Sequence, residues 1–153
     1  GRGYGVEVLA GYLGGTTVEA AGRLASTLAS ALAGQAGRRG LVAGGETTVA
    51  VTSSRPGLGG RNLDLAARLA LAIRGRRGIA ILVGGSDGRD GSSRAAGALV
   101  DGGTAARAEA AGLGLEAALE AFDSEPALAA AGDLHVTGPT GTNVGDLVVA
   151  VTA

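Results

Sequence analysis

"GIAILVGGSDGRDG", Gly78 to Gly91, sets the frame for the whole chain. Gly78 to Val83 form an unbroken apolar run, the pattern of a strand buried on both faces of a sheet. The run stops at Gly84-Gly85, and two carboxylates, Asp87 and Asp90, follow among further glycines. In open α/β sheets, ligands bind beyond the carboxyl ends of the strands. An acidic, glycine-rich loop placed there can hold Mg²⁺ through a carboxylate and let a phosphate approach the backbone. The same residues also suit an ordinary Asp-Gly turn, so the rest of the chain has to decide.

Working outward, strands and helices alternate. Upstream, Thr16 is a candidate N-cap, and Glu19 completes a capping box. Val18, Ala21, Leu24, Ala25, Leu28 and Leu32 then recur at helical spacing, predicting a helix to about Ala33 that stops at Gly34. Leu63 to Ile73 has the same spacing, with Asp64 in its first turn, where a negative charge suits the helix dipole. Downstream, short helices are expected over Thr104–Ala111, Leu115–Ala121 and Glu125–Ala131. Strands are expected over Tyr4–Ala10, Leu41–Ala43, Glu46–Ser53, Leu134–Thr137 and Leu147–Val151. The second and third of these would form a hairpin or bent pair, and the last two would be joined by a short loop. The alternation predicts an α/β fold. It is expected to be one domain over residues 1–153, three-layered α/β/α, with a mixed, mostly parallel sheet.

Composition narrows the function. Aromatics make up 2% of a chain that is 46% hydrophobic, so the core must pack small and branched side chains, which suits helices on a sheet. The net charge of −1 gives no electrostatic case for nucleic acid. No apolar run is long enough to span a membrane. Cys is absent, which removes disulfides and thiolate chemistry and fits a cytoplasmic location. All 13 basic residues are Arg, so the chain cannot supply the lysine of a Walker loop.

Three more stretches join the acidic loop. "GGETTV" sets Glu46 at a strand end behind two glycines. "GLGGRN" sets Arg61 at a helix start, where its guanidinium and the helix N-terminus can both face an anion, with Asn62 beside it. "GDLHVTGPTGTNVGDL" gathers Thr140, Thr142 and Asn143 in one loop between strands, more hydrogen-bonding capacity than a turn needs. Singly, each passes for a turn; together they lie at strand ends and helix starts that an α/β sheet can bring to one crevice. "GGSDG" also matches a hydrolase nucleophile elbow at Ser86, with Asp123 and His135 in triad order. That motif demands a helix straight after the serine, and "DGRDGSS" follows instead.

"GGETTV", "GLGGRN", "GSDGRDG" with "AAGALVD", Asp123-Ser124 and "GDLHVTGPTGTNVGDL" occur in an order and spacing that resembles the MOFRL domain. This is the C-terminal domain of class II glycerate kinases, often labelled hydroxypyruvate reductases. The likeness runs from about Gly5 to Thr152. Ser86 replaces the family's usual threonine, and Gly145 stands where Asn is more frequent. The resemblance implies half of an enzyme that moves the γ-phosphoryl of ATP to D-glycerate with Mg²⁺. The site would lie in a cleft shared with an N-terminal Rossmann-like domain that supplies the lysine. It further implies catalytic roles for Arg61, Asp87 and Glu46, with Asp87 as the metal ligand. Asn62, Asp90, Thr140, Thr142 and Asn143 would bind substrate or phosphate. Expected partners are that N-terminal domain, the small-molecule substrate and, for an isolated domain, a second copy in a homodimer. The alternative is a stand-alone anion-binding or assembly module with no catalysis of its own.

Overall fold

Thr16 opens the first long helix as its capping box requires. The Thr16 N–H donates to Glu19 Oε2 at 2.9 Å, and the Glu19 N–H donates back to Thr16 Oγ1 at 3.2 Å. In the computed structural model, residues 3–9, 13–33 and 37–152 are described. Ala10 and Gly34, the expected ends of the first strand and helix, lie outside them. The chain runs β1 (Gly5–Val8), α1 (Thr17–Ala33), β2 (Arg39–Gly45), α2 (Arg61–Ala72), β3 (Ile79–Gly85), β4 (Gly97–Asp101), α3 (Thr104–Ala110), α4 (Leu115–Glu120), α5 (Ser124–Ala130), β5 (Leu134–His135) and β6 (Asp146–Thr152).

The α/β class holds, and one sheet of six strands runs β1-β2-β6-β3-β4-β5. The sheet is mixed but not mostly parallel in its pairing: only β1 and β2 pair parallel, and the other neighbours are antiparallel. The cause is the position of β6 and β4. Each runs against the remaining strands and separates neighbours that would otherwise pair parallel. The two late strands joined by the loop over 136–145 are not neighbours in the sheet: β6 inserts at the centre while β5 caps the far edge beside β4. β4 itself was not anticipated from "GALVD". Residues 46–53 do not form a strand. Both edges of β2 are already occupied by β1 and β6, so the chain runs past the sheet and makes a single bridge, Thr48 to Thr16.

The three-layer expectation is corrected to two layers. Along β3, Ile79, Ile81 and Val83 are buried, while Ala80 and Leu82 are only half-buried. Along β6, Val148 and Ala150 are buried, whereas Leu147 is 44% exposed. α2 lies across β3 and β4, with α1 against one side of it and α4 and α5 against the other. Among the described residues no helix covers the opposite face. The central position of α2 explains its composition. Leu63, Leu65, Ala66, Ala67, Leu69 and Ala70 are all buried, as are Asn62 and Asp64, so the helix is enclosed on most of its surface.

Candidate active site at the carboxyl ends of β2 and β3

β2 and β3 end side by side, with the start of β6 between them. Asp146, the first residue of β6, sits opposite Gly45 on one side and Gly85 on the other. The chain after β2 continues as Glu46, and the chain after β3 as Ser86-Asp87. α2 directs its first turn at the same place. Arg61 Nε donates to Asp146 Oδ2 at 2.6 Å and Nη2 to Asp146 Oδ1 at 3.1 Å, a bidentate pair. Arg61 Nη1 meets Glu46 Oε1 at 2.8 Å. Hydrogen bonding to Asp146 is the main cause that raises the Arg61 pKa above the usual arginine value, so its charge is fixed.

The two acids of the opening loop have different fates. Asp90 is buried, and both of its oxygens are bonded to α2: Oδ1 accepts the Asn62 N–H at 3.0 Å and Oδ2 the Leu63 N–H at 2.8 Å. The N-cap of α2 is Gly60, which has no side chain to cap it, and Asp90 caps the helix from across the loop. Gly60 is required there, since a Cβ on it would lie 2.5 Å from Asp90 Cγ. Burial pushes the Asp90 carboxyl above the ordinary aspartate range, against the pull of the Asn62 and Leu63 hydrogen bonds. Asp90 therefore positions the helix, and the N–H groups it takes are closed to an outside anion. Asn62 bridges inward, its amide Nδ2 donating to Asp146 Oδ1 at 3.1 Å and to Asp90 Oδ1 at 3.3 Å.

Asp87 stays half-buried at the rim, where its Oδ1 accepts the Arg89 N–H of its own turn at 3.1 Å. It is close to Asn62: a Cβ on Gly85 would lie 3.0 Å from Asp87 Oδ1 and 3.4 Å from Asn62 Nδ2. The loop over 138–145 is stitched to this turn. The Thr140 hydroxyl donates to the Ser86 carbonyl, the Thr140 N–H to the Asp87 carbonyl at 3.2 Å, and the Val144 N–H to Ser86 Oγ at 2.8 Å. Thr142 and Asn143 are exposed on the same loop. The approach is close enough that a Cβ on Gly88 would meet the Gly138 carbonyl at 2.0 Å. Gly145 has φ +94°, a conformation that glycine adopts without strain and that asparagine tolerates better than most residues.

Glu46, Arg61, Asn62 and Asp87 thus meet at one sheet end, with Thr140, Thr142 and Asn143 on the loop beside them. Sequence reasoning assigned no role to Asp146, the residue that holds the cluster together. Its only signal was an acid at the first position of an apolar strand, directly after Gly145. The serine-hydrolase pattern does not assemble. A turn follows β3, Ser86 Oγ accepts from Val144, and Asp123 Oδ1 accepts the Leu58 N–H at 2.7 Å. Among the described residues, no group of three or more His, Asp or Glu side chains could hold a metal ion. A single carboxylate such as Asp87 could hold Mg²⁺ only if ligands from outside these residues completed the ion's coordination.

Two glycine-ended strands, an inserted antiparallel strand and an arginine on a cross-capped helix define an α/β domain with an arginine-centred polar rim. The MOFRL family model matches residues 39–146, and the chain belongs to that family. It is 46% identical to the D-glycerate 2-kinase of Thermotoga maritima over 109 residues, which is 71% of this chain and 26% of that protein. It is 40% identical to the glycerate 2-kinase of Pyrococcus horikoshii over 111 residues, covering 72% of this chain and 25% of that one. The crystal structure of the Thermotoga maritima glycerate kinase superposes with a TM-score of 0.91 at 37% identity, over 99% of this chain and 37% of that chain. The matched segment of this chain thus spans about a quarter of the length of these curated relatives. None of its described helices is long and apolar enough to cross a membrane.

Proposed function

We propose that this chain is the C-terminal part of a D-glycerate 2-kinase, contributing to Mg²⁺-dependent phosphoryl transfer from ATP at a cleft shared with an N-terminal domain. The observation that carries the reading is the fixed Arg61 guanidinium at the rim formed by Glu46, Asp87 and the loop over 138–145. Phosphoryl transfer needs positioning and charge neutralisation more than covalent chemistry, and these residues offer both. Arg61 binds the phosphate or the glycerate carboxylate. Asp87 holds Mg²⁺ or orients the substrate hydroxyl, and bound Mg²⁺ supplies neutralisation of phosphate charge. Thr140, Thr142 and Asn143 offer hydrogen bonds along one wall. Asp90, whose two oxygens accept the Asn62 and Leu63 N–H groups, sets the first turn of α2, and Asn62 stands beside Arg61 on that turn. The chain has no lysine, so any phosphate-binding lysine comes from the N-terminal domain. The relatives' names, as glycerate kinases longer than this chain, support the same reading.

The test is an assay with ATP, Mg²⁺ and D-glycerate, on this chain alone and mixed with a family N-terminal domain. Activity is expected only in the mixture. Asp87→Asn should leave the fold intact, Arg61→Ala should lower its stability by stranding buried Asp146, and either should cut that activity at least about tenfold, or ~1.4 kcal/mol of barrier. Wild-type turnover in either variant, with both domains present, removes the assignment of the site. Silence in every mixture, with inorganic phosphate still binding, favours an anion-binding module.

A further inference from the structure

Arg61 is held by two carboxylates that differ in kind. Asp146 is 5% exposed, lies between the ends of β2 and β3, takes two guanidinium nitrogens and is itself bonded to Asn62. Glu46 is 51% exposed, sits on the chain that leaves β2, and takes only Nη1. Breaking a buried pair strands a charge away from water, whereas an exposed single-contact pair exchanges readily with solvent and ions. The α2 N–H groups of Asn62 and Leu63 are closed by Asp90, so an incoming anion has no seat there. We infer that Glu46 is an internal stand-in for the ligand: it occupies the outer edge of Arg61, and a carboxylate or phosphate oxyanion binds by exchanging with it while Asp146 keeps the guanidinium in place. The inference rests on reading Arg61 as the oxyanion-binding group. It gives Glu46 a task that a static catalytic role does not: it competes with the ligand and leaves the guanidinium when the ligand arrives. Until the ligand arrives it keeps the outer edge of Arg61 neutralised.

The test uses inorganic phosphate titrated into this chain by calorimetry at constant ionic strength, with unfolding temperature checked for each variant. Glu46→Gln keeps the length of the side chain and removes its charge. Glu46→Asp keeps the charge but is one methylene shorter, which draws it out of hydrogen-bond range of Nη1. Exchange predicts that both variants bind phosphate more tightly than wild type, by about two- to five-fold, the worth of one exposed ion pair. Arg61→Gln should lose the binding. Tightening by Glu46→Gln alone, with Glu46→Asp like wild type, would reduce the effect to charge repulsion and overturn the inference. Equal affinity in all Glu46 variants, weaker binding in Glu46→Gln, or no phosphate binding to wild type would overturn it as well. The kinase reading fails separately. Tighter phosphate binding in both variants, with no D-glycerate phosphorylation in any domain mixture, leaves the exchange standing and removes only the activity.

Discussion

The two faces of the sheet carry similar side chains and meet different surroundings. On one face Leu41, Ala150, Ile81 and Val100 form a row across four strands, and all are buried under the helices. On the other, Val42, Val149, Leu82 and Leu99 form an equally apolar row, half-buried for the first three and 53% exposed at Leu99. Apolar character alone therefore does not report burial here. What separates the faces is α2, which rests on β3 and β4 and is anchored at its first turn by Asp90. The sheet end that bears the candidate site belongs to the covered side: Asp146 reaches Arg61 and Asn62 on that same helix. Packing on the covered face and geometry at the rim thus share one element.

The sharpest way to break this comparison is to truncate neighbours on opposite faces. Ile81→Ala should cost about 3 kcal/mol in denaturant unfolding, because it opens a cavity under α2. A cost below about 1 kcal/mol would mean that the covered face is loosely packed. Next in size is the anchor. Asp90→Asn should cost about 2 kcal/mol, since the amide cannot accept at both oxygens and leaves a buried N–H of α2 without its partner. It should also change the pH dependence. With its carboxyl raised above the ordinary aspartate range, Asp90 favours the native state fully below that range. The contribution is lost as pH rises through the raised native value. The stability gap between wild type and Asp90→Asn should therefore narrow as pH climbs from the ordinary aspartate range. A gap that widens instead would show that the charged carboxylate is the form that holds α2. The smallest effect belongs to the open face: Leu99→Ser should change stability by less than about 0.5 kcal/mol. A larger loss would mean that this face is covered in solution.

Much of the local structure was legible in the chain. The capping box at Thr16, the spacing of leucines in α2 and the three short helices near the C-terminal end are set by contacts within a turn or two, so periodicity reveals them. Residues 46–53 read as a strand because β-branched alternation is a local signal, yet a strand needs a free neighbour edge and β2 had none to offer. The unbroken apolar run of β3 read as buried on both faces because hydrophobicity does not say which neighbour arrives. For the site, the acids, the arginine and the threonine loop were visible as residue types at strand ends. Their roles were not, because Asp87 and Asp90 differ only in what folds against them.

By itself the sequence determined the α/β class, the helices, the absence of lysine and cysteine chemistry, and the set of polar residues from which a site can be built. These depend on composition and short-range spacing. Only the tertiary structure decided the strand order, the two-layer arrangement, the burial of Asp90 and the pairing of Asp146 with Arg61 across 85 residues of chain. Such contacts join segments that carry no mark of each other, and they form because inserting β6 between β2 and β3 brings three strand ends and one helix start to a single point.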